Sequence, residues 1–312
     1  MENRSVLYLS LAASIAFLSA CTGNKNILAD KMSKFPAEQY ITKVAAADLK
    51  EDAKTNALND LKAMFNGLPQ TEESLVRRNA VLSKAYTAQW WKDKPSKKYY
   101  AIAVLERAPA QSAVAPYYAP IDGKLTRLQQ QINKEADKFV RLKYAVDMVP
   151  SFDERETLDE EYRLLSFDAS PYDEDKLYSL KGTLNKTFYD IKINSKISGV
   201  DDITVKTYMI DSLNSIGFAV GEDLPSYDLE LVIKTSADKY PSQTTDGLYW
   251  CTATANVSVK DVATGGVFAT FSQSERIGAG RAEEAQRRSL ISVGEKCAPL
   301  LKQKIIEYVQ KK

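Results

Sequence analysis

The sequence predicts an α+β protein of two small domains, each a mainly antiparallel sheet packed by helices and joined by a long helix and an acidic connector. Three patterns carry that expectation. From Tyr249 to Lys260 the chain alternates strictly: Tyr249, Cys251, Ala253, Ala255, Val257 and Val259 on one side, Thr252, Thr254, Asn256, Ser258 and Lys260 on the other. That is the period of a half-buried strand. Ala53, Ala57, Leu61, Met64 and Phe65 instead recur at helical spacing, the core face of a helix laid on a sheet. Tyr99 to Arg107 is apolar at odd and even positions alike, as in a central strand covered on both faces.

The first 20 residues read as a signal peptide: Arg4, an apolar run from Val6 to Phe17, then small residues. The run is too short for a ~30 Å hydrocarbon core. Leu18-Ser19-Ala20-Cys21 has the form of a lipobox, so Cys21 is the expected lipidation site and mature N-terminus, and the membrane the expected partner through that lipid. A plain cleaved signal with a chance cysteine fits fewer of these positions. Residues 21–34 are polar and lysine-containing, which predicts a flexible tether. Thr22, rather than Asp, after the cysteine predicts the outer membrane, facing the periplasm.

Residues 35–110 form the expected N-terminal domain. Tyr40 to Ala45 is β-prone, Asp48 with Glu51 has the form of a capping box, and Gly67 with Pro69 stops the helix that follows. Thr71 can cap a second helix carrying Leu75, Val76, Leu82 and Tyr86, before a Trp90-Trp91 corner. Across 119–148, Ile121, Leu125, Leu128, Ile132, Phe139 and Val146 predict one long amphipathic helix. Residues 149–175 are acid-rich, with Pro150 and Pro171, and read as a solvated connector. A calcium loop is the sharper alternative, but the stretch lacks the D-x-D-x-D-G spacing.

Residues 176–312 form the second domain: strands at 188–194, 229–234, 249–260 and 267–275, helices at 202–216 and 281–308, and a hairpin turn at Thr264-Gly265-Gly266. Cys251 and Cys297 both fall on inward faces. In an oxidising compartment they are expected to form a disulfide, worth about 4 kcal/mol for a loop of roughly 45 residues. A redox switch is the competing role.

The chemistry that the chain lacks is as informative. There is no histidine, which removes Ser-His and Cys-His nucleophile systems and most zinc sites. Ser236 and Lys239 make a Ser-x-x-Lys pattern without its companion motifs, and no phosphate-binding or dinucleotide-binding glycine motif occurs. Glu73, before Ser74, is a conceivable general acid for glycan hydrolysis, though a glutamate at a helix start ordinarily compensates the helix dipole. No catalytic residue, metal or cofactor is therefore expected. With 42 basic and 41 acidic residues the chain carries no nucleic-acid footprint.

The best contact candidate is Trp90 and Trp91 with Tyr99 and Tyr100, interleaved with Lys92, Lys94, Lys97 and Lys98. Flat rings bordered by cations suit peptides or glycans, and the tryptophans and lysines are expected on a connecting loop. Tyr117-Tyr118 is a weaker second patch.

Phe35-Pro36, the run Tyr40 to Val44, the alanine-spaced helix, Trp91 and the run Tyr99 to Arg107 resemble the bacterial Lpp-twenty lipoprotein family over residues 35–146. Ala45-Ala46-Ala47 stands where such proteins often carry a glycine. Leu213 to Val220, a helix ending at Gly217 before a short strand, resembles the α+β modules of TolB N-terminal domains, curli-secretion lipoproteins and lipoprotein activators of peptidoglycan synthases. These resemblances imply envelope assembly without an assigned activity. The expected function is thus a non-catalytic, lipid-anchored envelope protein that binds or helps assemble an envelope protein or peptidoglycan. A self-associating structural subunit, a homo-oligomer, is the alternative, and a peptidoglycan hydrolase the third.

Overall fold

The structure, a computed structural model, describes residues 24–167, 173–200, 202–240 and 242–312; Cys21 and the signal peptide lie outside them. The protein is α+β. Its chain divides into two units, residues 24–120 with 155–167 and residues 121–154 with 173–312.

The first unit holds α1 (Asn24–Met32), β1 (Tyr40–Ala47), α2 (Lys50–Lys62), α3 (Glu72–Leu82), β2 (Tyr86–Lys92), β3 (Tyr99–Glu106) and α4 (Arg107–Val114). Its antiparallel sheet has the order β1-β3-β2. β3 lies centrally and Ala101 to Leu105 have no exposed surface, which is why their run is apolar at every position. α2 buries Ala53, Ala57 and Leu61, as the spacing predicts, and its alanines let the helix approach the strands closely. Thr71 does cap α3: its Oγ1 accepts from Ser74 N at 3.1 Å, and Ser74 Oγ accepts from Thr71 N at 2.9 Å. The Asp48–Glu51 box does not form; α2 begins behind Leu49 with no side-chain cap.

Three readings of this half are corrected. The tether is largely helical, since Asn24–Met32 contains no glycine or proline, and Lys31 near its end lies 5.3 Å from the Trp91 ring. The single helix expected over 119–148 is two, α5 (Tyr118–Lys134) and α6 (Lys138–Leu165). Asp137 caps the second, its Oδ1 accepting from Phe139 N at 2.8 Å and Val140 N at 3.1 Å. Finally, the start of the acidic connector is the end of α6, and its acids are not solvated: Asp159 and Glu161 are buried. Glu161 accepts from Arg77 Nε at 3.0 Å and Arg78 Nε at 2.8 Å, while Asp159 pairs with Arg155 and accepts from Tyr118 Oη at 2.9 Å. Matched cations and a phenol supply what water would otherwise give these carboxylates.

The second unit takes the parts of α5 and α6 within residues 121–154 and then α7 (Glu174–Tyr189), β4 (Lys192–Gly199), α8 (Asp202–Ser215), β5 (Ala219–Gly221), β6 (Leu229–Lys239), β7 (Tyr249–Asp261), β8 (Val267–Ala279) and α9 (Ala282–Gln310). The sheet order is β5-β4-β6-β7-β8, antiparallel from β6 to β8 and parallel on the β4 side. α8 and α9 pack together, and α9 lies on β7 and β8. Gly217 ends α8 with φ of +104°, and a Cβ there would sit 3.1 Å from Phe188 Cβ, so glycine is required twice over. α7 occupies residues expected to begin the first strand of this domain; β4 starts at Lys192 instead.

Cys251 and Cys297 are buried and both are free thiols, which corrects the expected disulfide. Position along α9 explains why. Cys251 packs with Ala279 and Ala285 at the first turn of the helix, and at the far end Asp261 of β7 accepts from Tyr308 Oη. Cys297 lies 12 residues beyond Ala285, about 18 Å along the axis, whereas a disulfide needs Cα atoms within about 7 Å. Facing the same sheet is not being near the same residue. Burial pushes the Cys297 thiol up to about 12, which suppresses the reactive thiolate. Both thiols should therefore resist a thiol reagent in the native protein and react after denaturation without prior reduction. Denatured, unreduced protein that gives no thiol signal would restore the disulfide.

Candidate functional site

Trp90 and Trp91 lie on β2, not on the loop that follows it. YTAQWWK carries no alternation that would mark a strand; as an edge strand paired only with β3, it leaves most of its residues half-exposed on either side. Pairing places Trp90 opposite Ala101 and Trp91 opposite Tyr100, so the two indoles point to opposite faces.

Their environments differ accordingly. Trp91 is half-buried, stacked on Tyr100 with ring centroids 5.3 Å apart and planes 14° from parallel. Its buried indole N–H has no hydrogen-bond partner among the described residues. Trp90 keeps 46% of its surface in water. Its ring lies 6.4 Å from that of Tyr99, with Lys50 Nζ 3.8 Å from its centroid and Lys92 Nζ 5.0 Å from the Tyr99 centroid. Two cations and two rings thus form one surface strip. Lys94 and Lys97 are exposed on the turn beyond, where Asp93 Oδ2 accepts from Ser96 N at 2.8 Å and Lys97 has φ of +58°. The structure brings Trp90, Lys92 and the missed Lys50 together and separates Trp91 from them. Of the second patch, Tyr118 is buried against Asp159, so it offers no surface.

A cavity of about 520 Å³ in the first unit is lined by Glu38, Glu106, Arg107, Gln111, Tyr162 and Phe167 among others. Arg107 is committed structurally, donating from Nε to Ala37 O at 2.7 Å and from Nη1 to Leu165 O at 2.9 Å. Burial lowers its pKa, and nearby Glu38 opposes that shift. Glu73 is exposed in the first turn of α3 beside Glu72. Ser236 and Lys239 lie three apart on β6 and so point to opposite faces, which prevents a nucleophile–base pair. Among the described residues no group of three or more potential ligands stands where it could hold a metal ion, and no helix is long and apolar enough to cross a membrane.

No protein-family model and no curated protein matches the chain. Among solved structures, a secreted protein of Helicobacter pylori is 12% identical and aligns over 84% of this chain and 98% of its own, with a TM-score of 0.36. A minor lipoprotein of Acinetobacter baumannii is 10% identical over 38% of this chain and 93% of its own, with a TM-score of 0.27. A lipoprotein of Neisseria meningitidis is 14% identical over 36% of this chain and 95% of its own, with a TM-score of 0.26.

Proposed function

We propose that the protein is a non-catalytic envelope protein, held at the outer membrane by lipid on Cys21, that binds an envelope partner through the Trp90 strip. The observation that carries this reading is the exposure of Trp90 on an edge strand, beside Tyr99 and flanked by Lys50 and Lys92. Large aromatic rings at a surface are poor solvent-facing residues and strong contact anchors. The lysines on the following turn widen the strip toward an acidic partner.

A photo-crosslinking residue at position 90 in living cells tests it. Capture of one envelope protein, or of peptidoglycan, is the expected result, with Trp90→Ala releasing the same species from a pull-down. Crosslinks confined to the chain itself would sink the contact site.

Self-association is a second reading, favoured by β8, which runs at the edge of its sheet for 13 residues without proline or lysine. Crosslinks from a probe on the outer edge of β8 to a second copy, with a dimer in sedimentation, would select it.

A further inference from the structure

The five-stranded sheet has two unlike faces. Leu231, Ile233, Cys251, Ala253, Ala255 and Val257 are buried on the side that α9 covers. The pleat sends their neighbours to the other side, where register sets them in rows: Ser236, Thr254 and Ser274 in one, Asp238, Thr252 and Arg276 in the next. Tyr240 and Trp250 extend the pattern, joined by a hydrogen bond from Tyr240 N to Trp250 O at 2.9 Å, and Gly278 lies opposite Trp250.

This end of the face is built rather than incidental. A Cβ at position 278 would lie 3.0 Å from the Trp250 ring, so glycine there lets the indole lie flat on β8. Trp250 Nε1 donates to Thr244 Oγ1 at 3.0 Å, which fixes the ring from its other end. The Arg276 guanidinium carbon is 4.7 Å from the Tyr240 centroid and 4.8 Å from that of Trp250, so two rings hold it in place. Arg276 is exposed and, among the described residues, forms no ion pair or hydrogen bond through its side chain. Its fork of N–H donors is positioned and unused.

We propose that this face binds a saccharide chain bearing carboxylates, with Arg276 as the carboxylate anchor. The proposal rests on the envelope-binding reading but uses the second unit, not the Trp90 strip. A planar guanidinium matches a carboxylate with two parallel hydrogen bonds. Tyr240 keeps 39% of its surface exposed as an apolar platform for the C–H face of a sugar ring. The hydroxyls of Ser236, Thr254 and Ser274, the last two 3.0 Å apart, present donors and acceptors in line for sugar hydroxyls. Asp238 in the Arg276 row disfavours a polyphosphate, whose charge density would meet a carboxylate on the same face.

The test is retention of the full mature protein on a panel of immobilised glycans that are carboxylated, phosphorylated, sulfated or neutral. Carboxylated glycans should retain it, with at least a tenfold loss of affinity in Arg276→Gln and an intermediate loss in Arg276→Lys, which keeps charge without the fork. Arg276 is exposed, so both variants should keep the wild-type circular dichroism spectrum and melting point. Retention only on neutral, sulfated or phosphorylated glycans, retention that Arg276→Gln leaves unchanged, or no retention at all would overturn the proposal. Capture from position 90 is expected to survive Arg276→Gln, and glycan retention to survive Trp90→Ala, so each site fails on its own measurement.

Discussion

Glu161→Ala lowers the stability of the first unit by about 3–5 kcal/mol, the cost of leaving a buried ionic group without its partner. Here one carboxylate serves two cations. Arg77 and Arg78 lie next to each other on α3, and their side chains are 0% and 6% exposed. Removing Glu161 leaves two guanidinium groups in a region with little water. Arg78 also donates from Nη2 to Pro69 O at 2.7 Å, so the loss reaches the turn before Thr71. The measurement is the urea midpoint by fluorescence, which should fall with the transition slope unchanged. Replacing the three together, with Arg77→Met, Arg78→Met and Glu161→Leu, should recover most of the loss, because an apolar set of similar volume strands no charge. A Glu161→Ala midpoint within error of wild type would show that the triad is hydrated rather than buried.

The second large effect is expected at Cys21. Cys21→Ala should abolish incorporation of a labelled fatty acid and move the protein from the membrane pellet to the soluble fraction. Each buried CH₂ contributes about 0.8 kcal/mol, and stable attachment takes more than one chain, so loss of the proposed acylation site should leave no graded remainder. Among the described residues no helix offers a membrane span to compensate. A variant that still pellets with membranes would mean that another contact holds it there.

How much of this was legible in the sequence depended on whether a residue's partner lay nearby. β3 and β7 were legible because both faces of a strand are written into its own residues, and the Thr71 cap because its partner is Ser74. The acidic end of α6 was not. Its charges look solvated until Arg77 and Arg78, 84 and 83 residues from Glu161, are set beside them. The cysteines failed for a related reason: facing is readable from period, but position along a 29-residue helix is not. Of the contact surface, the aromatic and basic composition was legible and its division between two faces was not, because β2 has no alternation to betray a strand. The Arg276 platform was hidden differently. Ser236, Asp238, Arg276 and Gly278 lie on β6 and β8 beyond the expected strand ends at 234 and 275, and Tyr240 just past β6, so the sequence did not set them on one face; Gly278 opposite Trp250 was the available signal.

The arrangement of the first unit also bears on when it can form. A chain is made from its N-terminus, and domains ordinarily fold as their residues become available. The first unit cannot do so, because residues 155–167 belong to it and are made after 121–154, which belong to the other unit. Until Glu161 arrives, Arg77 and Arg78 lack the carboxylate to which both donate. The leading part of the chain is therefore expected to close later than its length requires. Such a delay would suit the export that the proposed function implies, in which a chain threads a membrane unfolded, since the element that closes the first unit comes out late.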